Sequence, residues 1–205
     1  MEVFLETGRL ILRRFTEDDV DHLLDLDGDP EVMRFLNGGK TVSRKEIARE
    51  YHKRFEGFGC WAAVEKSTGE FLGWFEFRPR EGGNPGEVEL GYRLRRSAWG
   101  KGYATEGSRA LIQKGFTELG ARRVVAQTMA VNLASRRVME KSGLEHARTF
   151  HLEWEGPLPG REHGEVEYAL TKEDWEQDWE RQDAARREQL PGKAGPVEQG
   201  FPDVP

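Results

Sequence analysis

The sequence predicts a mixed α/β domain: a predominantly antiparallel central sheet flanked by helices. Three observations carry this. Two apolar, strand-like runs, 60–65 and 71–77, are joined only by the polar turn Ser67-Thr68-Gly69-Glu70, the spacing of an antiparallel hairpin. A third run, Val88 to Leu94, passes through a glycine turn into a helical pattern and then into a further strand-like run, Arg123 to Met129. A crossover of that length joins parallel strands. A second hairpin, Glu145 to Trp154 with Glu165 to Leu170, is marked by a loop holding Gly156, Pro157, Pro159 and Gly160.

The elements follow in order. Leu10 to Phe15 reads as the first strand. Thr16-Glu17-Asp18-Asp19 reads as a helix cap with acidic residues in the first turn, followed by Val20, Leu23 and Leu24 at helical spacing. Asp29-Pro30-Glu31 opens a short helical turn that Asn37-Gly38-Gly39 ends. Ser43-Arg44-Lys45-Glu46 is a capping box that opens a helix to about Phe55. The central helix runs from about Tyr103 to Leu119, with Ala104, Ser108, Leu111, Ile112, Gly115, Phe116 and Leu119 on one face. Leu133 to Ser142 forms another helix, which stops at Gly143. Residues 1–179 read as one domain; 180–205 read as a tail, first charged and then rich in Pro and Gly, that is too poor in apolar residues to pack a core.

Composition narrows the function classes. The 205 residues carry a net charge of −6 with no basic stripe, which argues against nucleic acid as a partner. No run approaches the ~18 apolar residues of a membrane helix, and Met1 to Glu6 lacks the layout of a signal peptide, so no membrane partner is expected. Cys60 is the single cysteine; no intramolecular disulfide forms, and a cytoplasmic location is expected. The five histidines show no metal-ligand spacing.

The stretch Trp99-Gly100-Lys101-Gly102-Tyr103-Ala104 is the most informative in the chain. A strand, a glycine turn and a helix start together make an anion site. N–H groups of the first helical turn have no partner inside the helix, and the helix dipole adds positive charge there. A diphosphate is a natural occupant. Two nucleotide signatures fail. The P-loop needs Lys after its last glycine, and Gly102 is followed by Tyr103. The dinucleotide fingerprint needs a third glycine where Thr105 stands, and no acidic ribose partner ends the next strand.

Val88 to Leu94 followed by Trp99 to Glu106 resembles the acetyl-CoA-binding segment of the GNAT N-acetyltransferase superfamily, whose pattern is Gln/Arg-x-x-Gly-x-Gly/Ala. Gly102 and Ala104 match its small positions. Trp99 stands at the Gln/Arg position, a departure associated with the ribosomal-protein N-terminal acetyltransferase (RimJ/RimL-like) branch. Three further segments resemble that branch: Asn132 to Leu144, Thr7 to Arg13, and Glu167 to Trp175. They occur in family order across roughly residues 6 to 176. The resemblance implies a GNAT-like acyl-CoA N-acyltransferase fold in which the strands before and after the central helix splay, opening a slot for the pantetheine arm. It implies acetyl-CoA as cosubstrate and an amine acceptor, either a protein N-terminus or a small molecule, in a monomer or homodimer. Cofactor contacts are implied at Leu94, Gly100, Lys101, Gly102, Tyr103, Ala104, Thr105 and Asn132, with Arg95 and Arg96 toward the adenosine end.

Acetyl transfer needs a deprotonated amine, a stabilised carbonyl oxygen and a departing thiolate. Glu89 is the candidate base. Alternation places it with Glu87 and Gly91 on one face of its strand, and burial would raise its pKa. A solvent-facing carboxylate is the other reading of the spacing alone; related enzymes often have a glutamate at the matching position. The resemblance assigns the oxyanion donor to the Leu94 N–H. Asn132 reads as an N-cap, and Ser135 as a first-turn residue with a local bond. The resemblance adds a pantetheine contact for Asn132 and proton donation to the thiolate for Ser135, since Met139 stands where many members have a tyrosine. A non-catalytic acetyl-CoA-binding sensor is the alternative function.

Overall fold

The computed structural model describes residues 2–36, 43–47, 59–153, 159–178 and 181. Its strands are β1 Val3–Glu6, β2 Leu10–Arg13, β3 Cys60–Glu65, β4 Phe71–Pro79, β5 Glu87–Leu94, β6 Arg123–Met129, β7 Glu145–Phe150 and β8 Glu165–Thr171. They form one sheet in the order β1-β2-β3-β4-β5-β6-β8-β7. Every neighbouring pair is antiparallel except β5 and β6, which run parallel because helix α3, Tyr103–Thr117, crosses between them. The other helices are α1 Asp19–Asp27, α2 Pro30–Met33 and α4 Leu133–Lys141.

The chain divides into two compact units, Met1–Lys172 and Glu173–Pro205. In the second, residues 173–178 and 181 are described and are helical. Among the described residues no helix is long and apolar enough to cross a membrane.

The two faces of the sheet are covered differently. Register pairs Phe75 with Tyr92 and Phe77 with Leu90, so these four side chains share one face. α3 lies close against it: a Cβ on Gly107 or Gly115 would stand under 3 Å from the ring of Phe75 or Phe77. Both phenylalanines are core, at 0% and 1% exposure. Trp74 faces the other way. There Leu23 and Leu26 of α1 and Val32 of α2 close a buried cluster with Trp74, Ala62 and Phe71. Full burial of each large apolar side chain contributes about 1.5–3 kcal/mol.

Several expectations need correction. A strand, β1, precedes the first one expected; it is an edge strand whose pairing with β2 orders it. β2 ends at Arg13 rather than Phe15. α3 ends at Thr117, where the N–H groups of Glu118 and Leu119 both turn back to the Lys114 carbonyl, so Leu119 leaves the buried face and is 38% exposed. At α1 the cap residue Asp18 makes no side-chain cap bond. Asp19 instead reaches backward, accepting from the Thr16 N–H at 2.7 Å and from both terminal nitrogens of Arg13. Burial opposes ionisation of Asp19, but these donors hold its carboxyl below the usual range.

The capping box at Ser43 is present: Ser43 N–H donates to Glu46 at 2.9 Å, and Glu46 N–H donates to Ser43 Oγ at 3.4 Å. The Asn37-Gly38-Gly39 break, the helix beyond 47, Gly156, Pro157 and the tail after 181 lie outside the described residues.

Candidate active site

The glycine turn folds by local rules. Gly100 and Gly102 both hold positive φ, +72° and +84°, the left-handed region where any Cβ is strained. A Cβ on Gly100 would meet nothing within 4 Å, so conformation and not crowding demands glycine there. Gly102 is the N-cap of α3, and the first bond inside the helix is Glu106 N–H to the Gly102 carbonyl. The N–H groups of Tyr103, Ala104 and Thr105 therefore have no partner within the helix. The Tyr103 phenol is engaged elsewhere, donating to the Glu65 carboxylate. Gly100, Lys101 and Gly102 are exposed. A cleft of about 640 Å³ opens alongside, lined by Arg9, Gly102, Thr105, Arg109 and Lys141 among others.

The strand leading into this turn opens a slot. Arg80 N–H donates to the Glu87 carbonyl and Arg95 N–H to that of Leu72, so odd-numbered residues 87 to 95 turn their backbone groups toward β4. Those of Leu90, Tyr92 and Leu94 point toward β6. The β5–β6 ladder, however, ends at the pair Glu89–Val125. Beyond it the strands part, and the β5 wall of the gap carries unladdered N–H groups. The Trp99 indole donates to the Leu94 carbonyl at 2.8 Å, which leaves the Leu94 N–H as a donor facing the gap.

Glu89 stands where the ladder ends, half-buried, on the face opposite α3. It makes no hydrogen bond or ion pair among the described residues. Burial, and then the neighbouring Glu76 charge, raise its pKa above the ordinary glutamate value. Glu76 lies over Gly91, with Oε2 3.6 Å from where a Cβ there would stand. A half-buried, unpaired carboxylate of raised pKa beside a gap can accept a proton from an amine, directly or through a water.

On the α3 face, Tyr92 reaches across the gap to α4. Its Oη lies 3.0 Å from Ser135 Oγ and donates to the Ser135 carbonyl at 3.1 Å. Burial, offset in part by the Ser135 bond, pushes the Tyr92 phenol up to about 12, so it keeps its proton. Asn132 is the N-cap: Oδ1 accepts from the Ser135 N–H at 3.3 Å, while Nδ2 donates to Thr128 Oγ1 at 3.0 Å. Met139 is buried, at 2% exposure. Arg95 and Arg96 do not approach the turn's cleft; Arg95 lies 3.2 Å from His22 and Arg96 4.0 Å from Asp29, beside the α1–α2 segment.

Sequence reasoning missed the polar brace at the closed end of the gap. Arg80 bonds Glu87 at 3.1 Å and Glu167 at 2.8 Å, and Gln127 and Arg148 also donate to Glu167. Against the cost of burial, these donors hold Glu167 at about 2. The brace joins β5, β6, β7 and β8, reaching from Glu87 on the paired part of β5 to Gln127, just past the end of the β5–β6 ladder. Its one sequence signal is the alternation of Glu165 and Glu167 in an otherwise apolar strand.

The chain is similar to known proteins in sequence and in fold. The family model described as "Acetyltransferase (GNAT) domain" matches residues 9–145. The FsC-acetyl coenzyme A-N(2)-transacetylase of Aspergillus fumigatus is 37% identical over 183 residues, 83% of this chain and 77% of that protein. Among solved structures, the spermidine N-acetyltransferase of Vibrio cholerae in complex with CoA and spermine superposes with a TM-score of 0.70 at 15% identity, covering 82% of this chain and 99% of that one. AAC(6')-Ib in complex with ribostamycin and coenzyme A gives 0.65 at 20% identity, covering 82% and 96%. At those identities the structures show the fold; the family model and the fungal relative show the lineage. The chain belongs to the GNAT acetyltransferase family.

Proposed function

We propose that this protein transfers the acetyl group of acetyl-CoA directly to a primary amine of a small molecule, with Glu89 receiving the amine's proton. One observation carries the reading: a carboxylate of raised pKa, unpaired among the described residues, sits where the β5–β6 ladder ends, and the strand beyond it leads into a phosphate-type glycine turn. Membership of the family makes acetyl-CoA the cosubstrate, and this chain's residues fit it. Two left-handed glycines, three unpartnered helix-start N–H groups and the adjoining cleft suit a diphosphate and its nucleotide. When bound, acetyl-CoA supplies an activated acetyl thioester.

The chain's own residues do the rest. Gly102, Tyr103, Ala104 and Thr105 offer backbone N–H groups to the diphosphate, with Gly100 and Lys101 completing the turn. The Leu94 N–H points into the gap to receive the carbonyl oxygen as negative charge grows on it. Glu89 enters from the opposite face, so the acceptor approaches from the α1–α2 side. With the Tyr92 phenol turned to donate to Ser135 Oγ, the Ser135 hydroxyl offers its own hydrogen toward the departing sulfur. Asn132 caps α4 through Oδ1 and donates one Nδ2 hydrogen to Thr128, which leaves its second Nδ2 hydrogen for the pantetheine arm.

A small-molecule acceptor is supported by the relatives, whose names specify an N(2)-transacetylase, a polyamine acetyltransferase and an enzyme held with an aminoglycoside. Trp99 and the segment 132–144 keep the pattern of the ribosomal-protein branch, so a peptide α-amine is the second acceptor class. The test is coenzyme A release against a panel of polyamines, amino sugars, other small primary amines and N-terminal peptides. Turnover with a small amine and not with peptides is expected; release with peptides alone would reverse the choice of acceptor, and release with none would favour a sensor.

A further inference from the structure

We infer that Arg9, in the turn between β1 and β2, is a positioning residue of the cofactor site: it holds the glycine turn in the shape that receives a diphosphate. This rests on the reading that the turn binds that group. The two segments are more than ninety residues apart in sequence, yet Arg9 meets the turn on three sides. Its Nη1 donates to the Lys101 carbonyl at 2.9 Å. Its Nε donates to Glu106, one turn into α3, at 2.7 Å, and Nη2 pairs with the same carboxylate at 2.6 Å. Its guanidinium carbon stands 4.5 Å from the centroid of the Tyr103 ring. Nη2 is also 3.4 Å from where a Cβ on Gly102 would be.

The consequence follows from peptide geometry. The Lys101 carbonyl and the Gly102 N–H belong to one planar trans unit and point in opposite directions. With glycine on one side and a solvent-exposed lysine on the other, that plane has little else to fix it. Arg9 pins the carbonyl and thereby aims the N–H. Arg9 also answers the one anionic side chain at the helix start. Burial opposes ionisation of Glu106, but bonds from Thr7 and Arg9 keep it charged. Without the guanidinium, that carboxylate would stand uncompensated beside the diphosphate.

Lysine carries the charge but lacks the planar fork that grips a carbonyl and a carboxylate together. Calorimetry with coenzyme A alone is the test, on Arg9→Ala, Arg9→Lys, Gly102→Val and Lys66→Ala. Lys66 donates to the Thr7 carbonyl at 2.7 Å and braces the same β1–β2 turn without touching the glycine turn. Loss of a charge-assisted contact predicts roughly tenfold weaker Kd in Arg9→Ala and a smaller but clear loss in Arg9→Lys. Lys66→Ala should bind within about twofold of wild type while unfolding at lower temperature. If Arg9→Lys binds like wild type, or if Lys66→Ala weakens binding equally, Arg9 is only structural and the inference falls. If Arg9→Ala does not fold, Arg9→Lys decides alone. Unchanged Kd in Gly102→Val would instead remove the diphosphate from this turn, and with it the underlying reading.

Discussion

Replacing Glu89 with glutamine separates catalysis from folding, because Glu89 makes no hydrogen bond or ion pair among the described residues. Glutamine keeps the shape and cannot accept the amine's proton. A positioned general base is worth 10²–10⁴-fold, so turnover should fall by about 10²-fold or more, some 2.7 kcal/mol of barrier, with coenzyme A affinity unchanged. Stability should move the other way. The folded-state pKa of Glu89 is raised by burial and then by Glu76. Its folded form therefore binds the proton more tightly than the unfolded chain does. Stability from this group is fully present below the unfolded value and is lost as pH rises through the folded one. At neutral pH the ionised carboxylate is a cost that glutamine removes, so Glu89→Gln should melt at the same temperature as wild type or higher. The assays are thiol release under saturating amine and calorimetric unfolding at pH 7. An unchanged rate would take Glu89 out of the mechanism. A large drop in melting temperature would show that it makes structural bonds.

Glu76→Gln removes the like charge that helps to raise Glu89, so the acidic limb of the kcat/KM profile should shift to lower pH; a limb that stays put would remove Glu76 as a cause. Glu167 is held at about 2 against an ordinary 4.5, so its contribution is present above about pH 4.5 and is lost as pH falls toward 2. Glu167→Gln should cost about 3 kcal/mol at pH 7 by chemical denaturation, with the difference from wild type vanishing near pH 2. Gly107→Ala sets a helix-propensity gain of about 1 kcal/mol against overpacking onto the Phe75 ring at about 1–3 kcal/mol, and the clash should win; a stabilised variant would contradict the close α3–β4 packing.

What could be read from the sequence was local. β3 and β6 have the expected bounds: each is a short run rich in apolar and β-forming residues, with Gly59 just before β3 and Gly120 shortly before β6. The glycine turn and the start of α3 were legible for the same reason, since positive φ and helix capping are decided within a few residues. β1 was not: Val3-Phe4-Leu5 is too short to signal a strand without the β2 edge it pairs with. The brace around Glu167 and the Tyr92–Ser135 contact draw on residues tens of positions apart, which no periodicity reports. Adjacency in sequence to the turn does not report side-chain direction: Arg95 and Arg96 lie beside Asp25 and Asp29 of the α1–α2 segment.

The central claim is that helix-start amides at residues 102–105 hold the diphosphate while the acyl end crosses the β5–β6 gap toward Glu89. A crystal structure with coenzyme A tests it most directly. Phosphate density against those amides, with the sulfur in the gap between the Leu94 N–H and Ser135, is the predicted result. Coenzyme A ordered at any other place on the sheet would contradict the account.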